Sequence, residues 1–162
     1  MKLSDAPSVE VETVVAAPVA VVWSLASDLP RMGEWSPENM GGHWESDGPG
    51  VGAQFRGRNR HEAIGEWETT AVVTEYEPPS RITWIVGSAD VPSATWTFAL
   101  ESHGEDTRLR QKATIGPGPS GLSAAITRMP DKEDRIVARR LEEHERNMKA
   151  TIEGIKKSAE SR

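Results

Sequence analysis

TWTFALESHGEDTRLRQKATI, running from Thr95 to Ile115, decides the fold. Trp96, Phe98 and Leu100 alternate with polar or small residues, and so do Leu109, Gln111, Ala113 and Ile115. A period of two is that of a strand with one apolar and one wet face. His103-Gly104-Glu105-Asp106 between the two runs reads as a tight turn, so the stretch is an antiparallel hairpin. Arg108, Arg110 and Lys112 fall on the opposite, wet face.

The same pattern extends upstream. Ile82, Trp84 and Val86 form one alternating series, and Phe55, Gly57, Asn59 and His61 another, with Arg56, Arg58 and Arg60 facing the other way. Asp47-Gly48-Pro49-Gly50 and Glu77-Pro78-Pro79-Ser80 punctuate these segments. Val9, Val11, Thr13 and Val15 predict a first strand over Ser8–Val15. Pro18 opens a short helix over 18–27, and a second short turn about Pro30–Trp35 follows Asp28, a candidate cap. Residues 1–7 read as a flexible arm, and 8–160 as a single domain.

Beyond Ile115 the pattern changes period. Gly121–Arg128 reads as a short helix or lid, and Ala113–Thr127 as either a mobile flap or a fixed plug. Asp131–Ala159 predicts a helix of about 40 Å, with Val137, Leu141, His144, Met148, Ile152 and Ile155 along one stripe. Asp131–Arg135, Glu142–Arg146, Glu145–Lys149 and Glu153–Lys157 are spaced to pair on its outer surface. A sheet with one apolar face needs a cover, and this helix is the only element long enough to supply it. The expected fold is α+β: a curved antiparallel sheet of about seven strands wrapped around a long C-terminal helix, with two short helices after the first strand.

Composition narrows the function. The 162 residues carry 19 Lys+Arg against 25 Asp+Glu, a net charge of -6, which disfavours nucleic acid as a partner. Arg56-Gly57-Arg58-Asn59-Arg60 has no stacking aromatic between its arginines and reads as a solvated sheet face. With no cysteine, thiolate catalysis and Cys-ligated zinc are excluded. His43, His61, His103 and His144 lack metal-ligand spacing, and no metal or other cofactor is expected. The longest uncharged runs, Thr13–Ser27 and Ala113–Thr127, are too short to span a bilayer. The first residues lack a secretory apolar stretch, so a cytoplasmic protein, monomer or homodimer, is expected.

Several phrases carry a family resemblance. They are Ala17-Pro18-Val19-Ala20-Val21-Val22-Trp23, Asp28-Leu29-Pro30-Arg31-Met32-Gly33-Glu34-Trp35-Ser36-Pro37, and Trp67 leading to Glu75-Tyr76-Glu77-Pro78-Pro79-Ser80-Arg81-Ile82-Thr83-Trp84. Thr107-Arg108-Leu109-Arg110-Gln111 and Ile152-Glu153-Gly154-Ile155-Lys156 complete the set. The chain resembles the START-related helix-grip superfamily (SRPBCC), and within it the actinobacterial polyketide cyclase/dehydrase-like group, over residues 8–158. The resemblance implies a helix-grip fold with an internal cavity. Members of that superfamily include binders, lipid carriers, aromatic-ring cyclases and co-chaperone-like domains.

On that reading a hydrophobic or aromatic small molecule, lipid- or polyketide-like, is bound between the sheet and the C-terminal helix. The lining expected from the alternation is Phe55, Trp67, Trp84, Trp96 and Phe98, with Met32 and Trp35 at the short-helix entrance and Leu141 on the long helix. Six Trp around one covering helix are difficult to pack solid, although filling the core is the plain alternative. Asn59, His61, Thr69, Gln111 and His144 are inward polar positions that either orient a ligand or are satisfied by neighbouring protein groups. If the chain is an enzyme, it is a metal-free cyclase or dehydratase, with His61 and Asn59 as the catalytic candidates. A stress-response interaction domain using Arg56, Arg58 and Arg60 is the third reading.

Overall fold

The computed structural model describes residues 1–162. Seven strands form one antiparallel sheet: β1 (Ser8–Val15), β2 (Asn39–Trp44), β3 (Gln54–His61), β4 (Gly65–Glu77), β5 (Arg81–Gly87), β6 (Pro92–His103) and β7 (Asp106–Ile115). Their spatial order is β1-β7-β6-β5-β4-β3-β2, a meander from β2 to β7 with β1 added at the far edge. The helices are α1 (Val19–Ala26), α2 (Gly121–Arg128) and α3 (Glu133–Glu160), with a 3-10 turn at Leu29–Glu34.

Register confirms the inward faces read from alternation. Trp84 lies opposite Trp96, Ile82 opposite Phe98, Phe98 opposite Gln111 and Gln111 opposite Val11. On the other half, Asn59 pairs with Trp67 and Phe55 with Ala71. A register shift between Val73 and Glu75 turns Tyr76 inward, where its ring meets Trp23 at 5.7 Å between centroids. The shift comes after Trp67 and Thr69, so their inward placement is kept.

The core is one cluster of 24 buried residues between the concave sheet, α1 and α3. A smaller one joins Leu3, Ile115 and Val137, with Leu122 and Ile126 of α2 and Leu141 of α3 packed against it. The first seven residues, expected as a loose arm, are therefore tied down. Leu3 buries its side chain in that cluster, its N–H donates to Glu133 Oε2 at 2.9 Å, and the N-terminal ammonium meets Asp134 at 2.9 Å. The helix expected from Asp131 begins two residues later, after a 3-10 turn at Pro130–Lys132. Asp28 does not cap the 3-10 turn that follows it, since its side chain makes no capping hydrogen bond. Of the expected helix-surface pairs, Glu145–Lys149 closes at 3.2 Å, and Lys156–Glu160 joins it at 2.7 Å.

Helix α3 is held along β1 by its own side chains. Lys156 Nζ donates to the Val14 carbonyl at 2.8 Å, and Glu160 accepts the Ala16 N–H at 2.8 Å, covering part of that sheet edge. Gly154 allows the helix to press against Trp35, because a Cβ there would collide with the Trp35 Cβ.

Candidate functional site

The concave face has one property that no single strand shows. Taken strand by strand through the pairings, its inward positions carry no Lys, Arg, Asp or Glu. Charges line the convex side instead. There Arg56 pairs with Glu45 at 2.8 Å and Glu68 at 3.3 Å, and Arg110 pairs with Glu12 at 3.1 Å.

Two buried polar atoms interrupt the apolar interior without protein partners to satisfy them, and a buried histidine stands among the aromatic rings. Gln111 is 4% exposed and its Oε1 is buried with no hydrogen bond. Trp35 is also buried, and its Nε1 has no acceptor. His144 is 7% exposed and stands edge-on to Trp96, with centroids 5.1 Å apart. Burial above all, and then the Arg140 charge, push the His144 imidazole down to about 3, so its ring is neutral at pH 7. A buried polar atom without a partner costs free energy, and such atoms are rare in folded proteins.

A polar seam borders this interior. Glu38, in the loop before β2, receives both arms of the Arg140 guanidinium, with Nη1 to Oε2 at 3.0 Å, and the Asn147 amide at 3.2 Å. Arg140 also faces Glu143 at 3.5 Å. His61 donates from Nε2 to Glu143 Oε2 at 2.8 Å. The Ala63 N–H points to His61 Nδ1 at 3.0 Å, so both ring nitrogens are engaged within the protein. Glu143 is pushed up by burial, but the His61 hydrogen bond and the Arg140 charge outweigh this and hold its carboxyl below the ordinary 4.5. The seam ties α3 to β3 and to the loop before β2, on the side of the sheet farthest from β1.

The expected lining residues are distributed unevenly. Trp84, Trp96, Phe98, Phe55 and Gln111 share the concave interior with His144. Met32 and Trp35, expected at an entrance, are instead buried in the main core, where the 3-10 turn packs on β2 and Trp35 rests on Gly154. Leu141 sits with the smaller cluster under α2 rather than over the concave face. Asn59 reaches Thr69 Oγ1 at 3.5 Å, beside half-buried Trp67. His61 has both ring nitrogens engaged within the protein, which leaves neither free to take a proton from a ligand.

Glu38, Arg140, Glu143 and Asn147 were not singled out by the sequence. The signal available was the 3-4 spacing of Arg140, Glu143 and Asn147 along the flank of the apolar stripe; Glu38 lies in a loop and has no periodicity to betray it. No three His, Asp or Glu side chains gather as a metal-ligand set. No helix is long and apolar enough to cross a membrane. Two surface hollows, about 540 Å³ beside Ala16–Val19 and the β6–β7 turn and about 230 Å³ among Glu10, Arg81, Thr97, Arg110 and Lys112, lie outside the concave interior.

A curved antiparallel sheet closed by one long C-terminal helix is the helix-grip architecture of the START-related superfamily. The family model described as "Polyketide cyclase / dehydrase and lipid transport" matches residues 6–159, and the chain belongs to that family. Among solved structures it is similar to a polyketide-cyclase-like protein of Corynebacterium glutamicum, with 30% identity, 92% of this chain and 88% of that one covered, and a TM-score of 0.67. It is also similar in fold to the di-domain ARO/CYC StfQ of the steffimycin biosynthetic pathway, with 17% identity, 95% and 50% covered, and a TM-score of 0.73. Ara h 8.0201 matches at 9% identity, 96% and 99% covered, with a TM-score of 0.61. A comparison with curated proteins finds no match.

Proposed function

We propose that this protein binds or carries a hydrophobic or aromatic small molecule, lipid- or polyketide-like, on the concave face between the sheet and α3. The observation that carries this reading is the set of unpartnered buried polar groups, Gln111 Oε1 and Trp35 Nε1, within an interior otherwise free of charge. Apolar walls supply affinity, and a few placed polar atoms supply orientation, as in small-molecule sites generally. A tightly filled core would ordinarily place an apolar residue at position 111, since an unsatisfied carboxamide costs stability and brings nothing to the empty protein. Membership of a family described by polyketide cyclisation and lipid transport supports a ligand-binding reading. Turnover is not part of the reading, because His61 spends both ring nitrogens on Glu143 and Ala63.

Native mass spectrometry of gently purified protein, before and after incubation with lipids and polycyclic aromatics, tests it. The expected result is a reproducible mass excess that disappears on denaturation. A clean mass of the chain alone under every condition would overturn the reading and leave the aromatic interior as packing only.

A further inference from the structure

Gln111 faces the aromatic part of the interior. Gln111 lies opposite Phe98, Trp96 lies two residues before Phe98 on the same face, and His144 stands against Trp96. Diagonal neighbours on a sheet face are within about 7–8 Å, so the Gln111 carboxamide lies beside the Trp96 and Phe98 rings. On this basis, and resting on the ligand-binding reading above, we propose that the ligand is neutral and hydroxyl-bearing. Its hydroxyl donates to the Gln111 carboxamide oxygen, and carboxylates and phosphates are rejected.

The argument for a hydroxyl is one of chemistry at each atom. Gln111 Oε1 accepts and lacks a donor. A hydroxyl donates from its oxygen and so supplies the hydrogen bond that Gln111 Oε1 lacks. A carboxylate only accepts, and would place its charge against an oxygen that already carries the negative end of a dipole.

The argument against an anion is one of charge. No inward strand position carries a cation. The one guanidinium beside His144 is Arg140, and it is already engaged by Glu38 and Glu143. The Arg140 charge is thereby matched by carboxylates of the protein and is not left over for an anionic ligand. Burying an unpaired anion there would cost far more than the apolar contacts of a small ligand return.

Three probes of one shape separate the possibilities: 2-naphthol, 2-methylnaphthalene and 2-naphthoate, titrated at pH 7 by calorimetry into the wild type and Gln111→Leu. The expected order for the wild type is 2-naphthol tightest by about 10-fold or more, because its hydroxyl satisfies a group left unpaired in the free protein. 2-Naphthoate should bind more weakly than 2-methylnaphthalene. In Gln111→Leu, 2-naphthol should fall to the level of 2-methylnaphthalene, while 2-methylnaphthalene stays within about threefold of its wild-type affinity, which also reports that the variant is folded. If the wild type binds 2-methylnaphthalene as tightly as 2-naphthol, or binds 2-naphthoate best, the neutral-hydroxyl proposal is overturned while interior binding stands. The same holds if Gln111→Leu keeps the preference for 2-naphthol. If no probe binds and native mass spectrometry finds no ligand, the binding reading itself falls, and this proposal with it.

Discussion

Replacing His144 with leucine should flatten the acid limb of the stability profile. In the folded chain His144 titrates near 3, whereas in the unfolded chain it returns to its ordinary 6.5. Between those values the unfolded state holds the extra proton, so stability rises with pH. The contribution is complete above pH 6.5 and is lost progressively as the pH falls toward 3. The slope approaches about 1.4 kcal/mol per pH unit, and between pH 6.5 and 4.5 the loss integrates to roughly 2–3 kcal/mol. That window lies above the range where Glu143, held below 4.5, contributes: its stabilisation is present above 4.5 and is lost as the pH falls further. The assay is urea unfolding of wild type and His144→Leu at pH 7.0, 6.0, 5.0 and 4.5, compared as differences between the two proteins. At ordinary urea sensitivities the wild-type midpoint should fall by about 1–2 M more than that of the variant. Parallel loss in both proteins would mean that His144 is not enclosed as a neutral ring, and the uncharged interior would lose its central polar member.

Two further substitutions probe the contacts that hold α3. Arg140→Ala should cost about 2–4 kcal/mol and Glu38→Ala less, about 1–2 kcal/mol, by thermal or urea unfolding. Losing Arg140 leaves Glu38 and Glu143 facing each other without a cation, whereas losing Glu38 leaves Arg140 still beside Glu143 at 3.5 Å. The reverse order would show that Glu143 does not support the guanidinium. Gly154→Ala should destabilise by about 1–3 kcal/mol through overpacking against Trp35, with a changed tryptophan emission; a neutral effect in both readouts would mean that the helix and Trp35 are not in close contact.

The strands were legible because their side-chain period survives translation into register. Trp84, Trp96, Phe98 and Gln111 face inward as alternation requires, and the Val73/Glu75 shift, which alternation does not reveal, falls after the residues that mattered. The helix stripe was legible for the same reason at its own period, with His144, Met148, Ile152 and Ile155 all buried. Local pattern misplaced the elements whose environment is set by distant parts of the chain. The opening residues looked unattached because nothing near them is apolar enough to hold them; Leu3 is held by Ile115 and Val137. Met32 and Trp35 looked like a rim because their turn is short and polar-flanked, yet Gly154 leaves room for Trp35 in the core.

The sequence by itself determined which residues share a face, that one helix must cover the sheet, and that Gln111 and His144 point into an apolar interior. Those properties follow from periods of two and 3.6 and from the cost of exposing an apolar face. Only the tertiary structure decided that Gln111 is left without a partner while His61 is not. Satisfaction of a polar group depends on which atoms arrive from other elements. Glu143, 82 positions along the chain, reaches His61 across the gap between β3 and α3, whereas no such atom comes within reach of Gln111 Oε1.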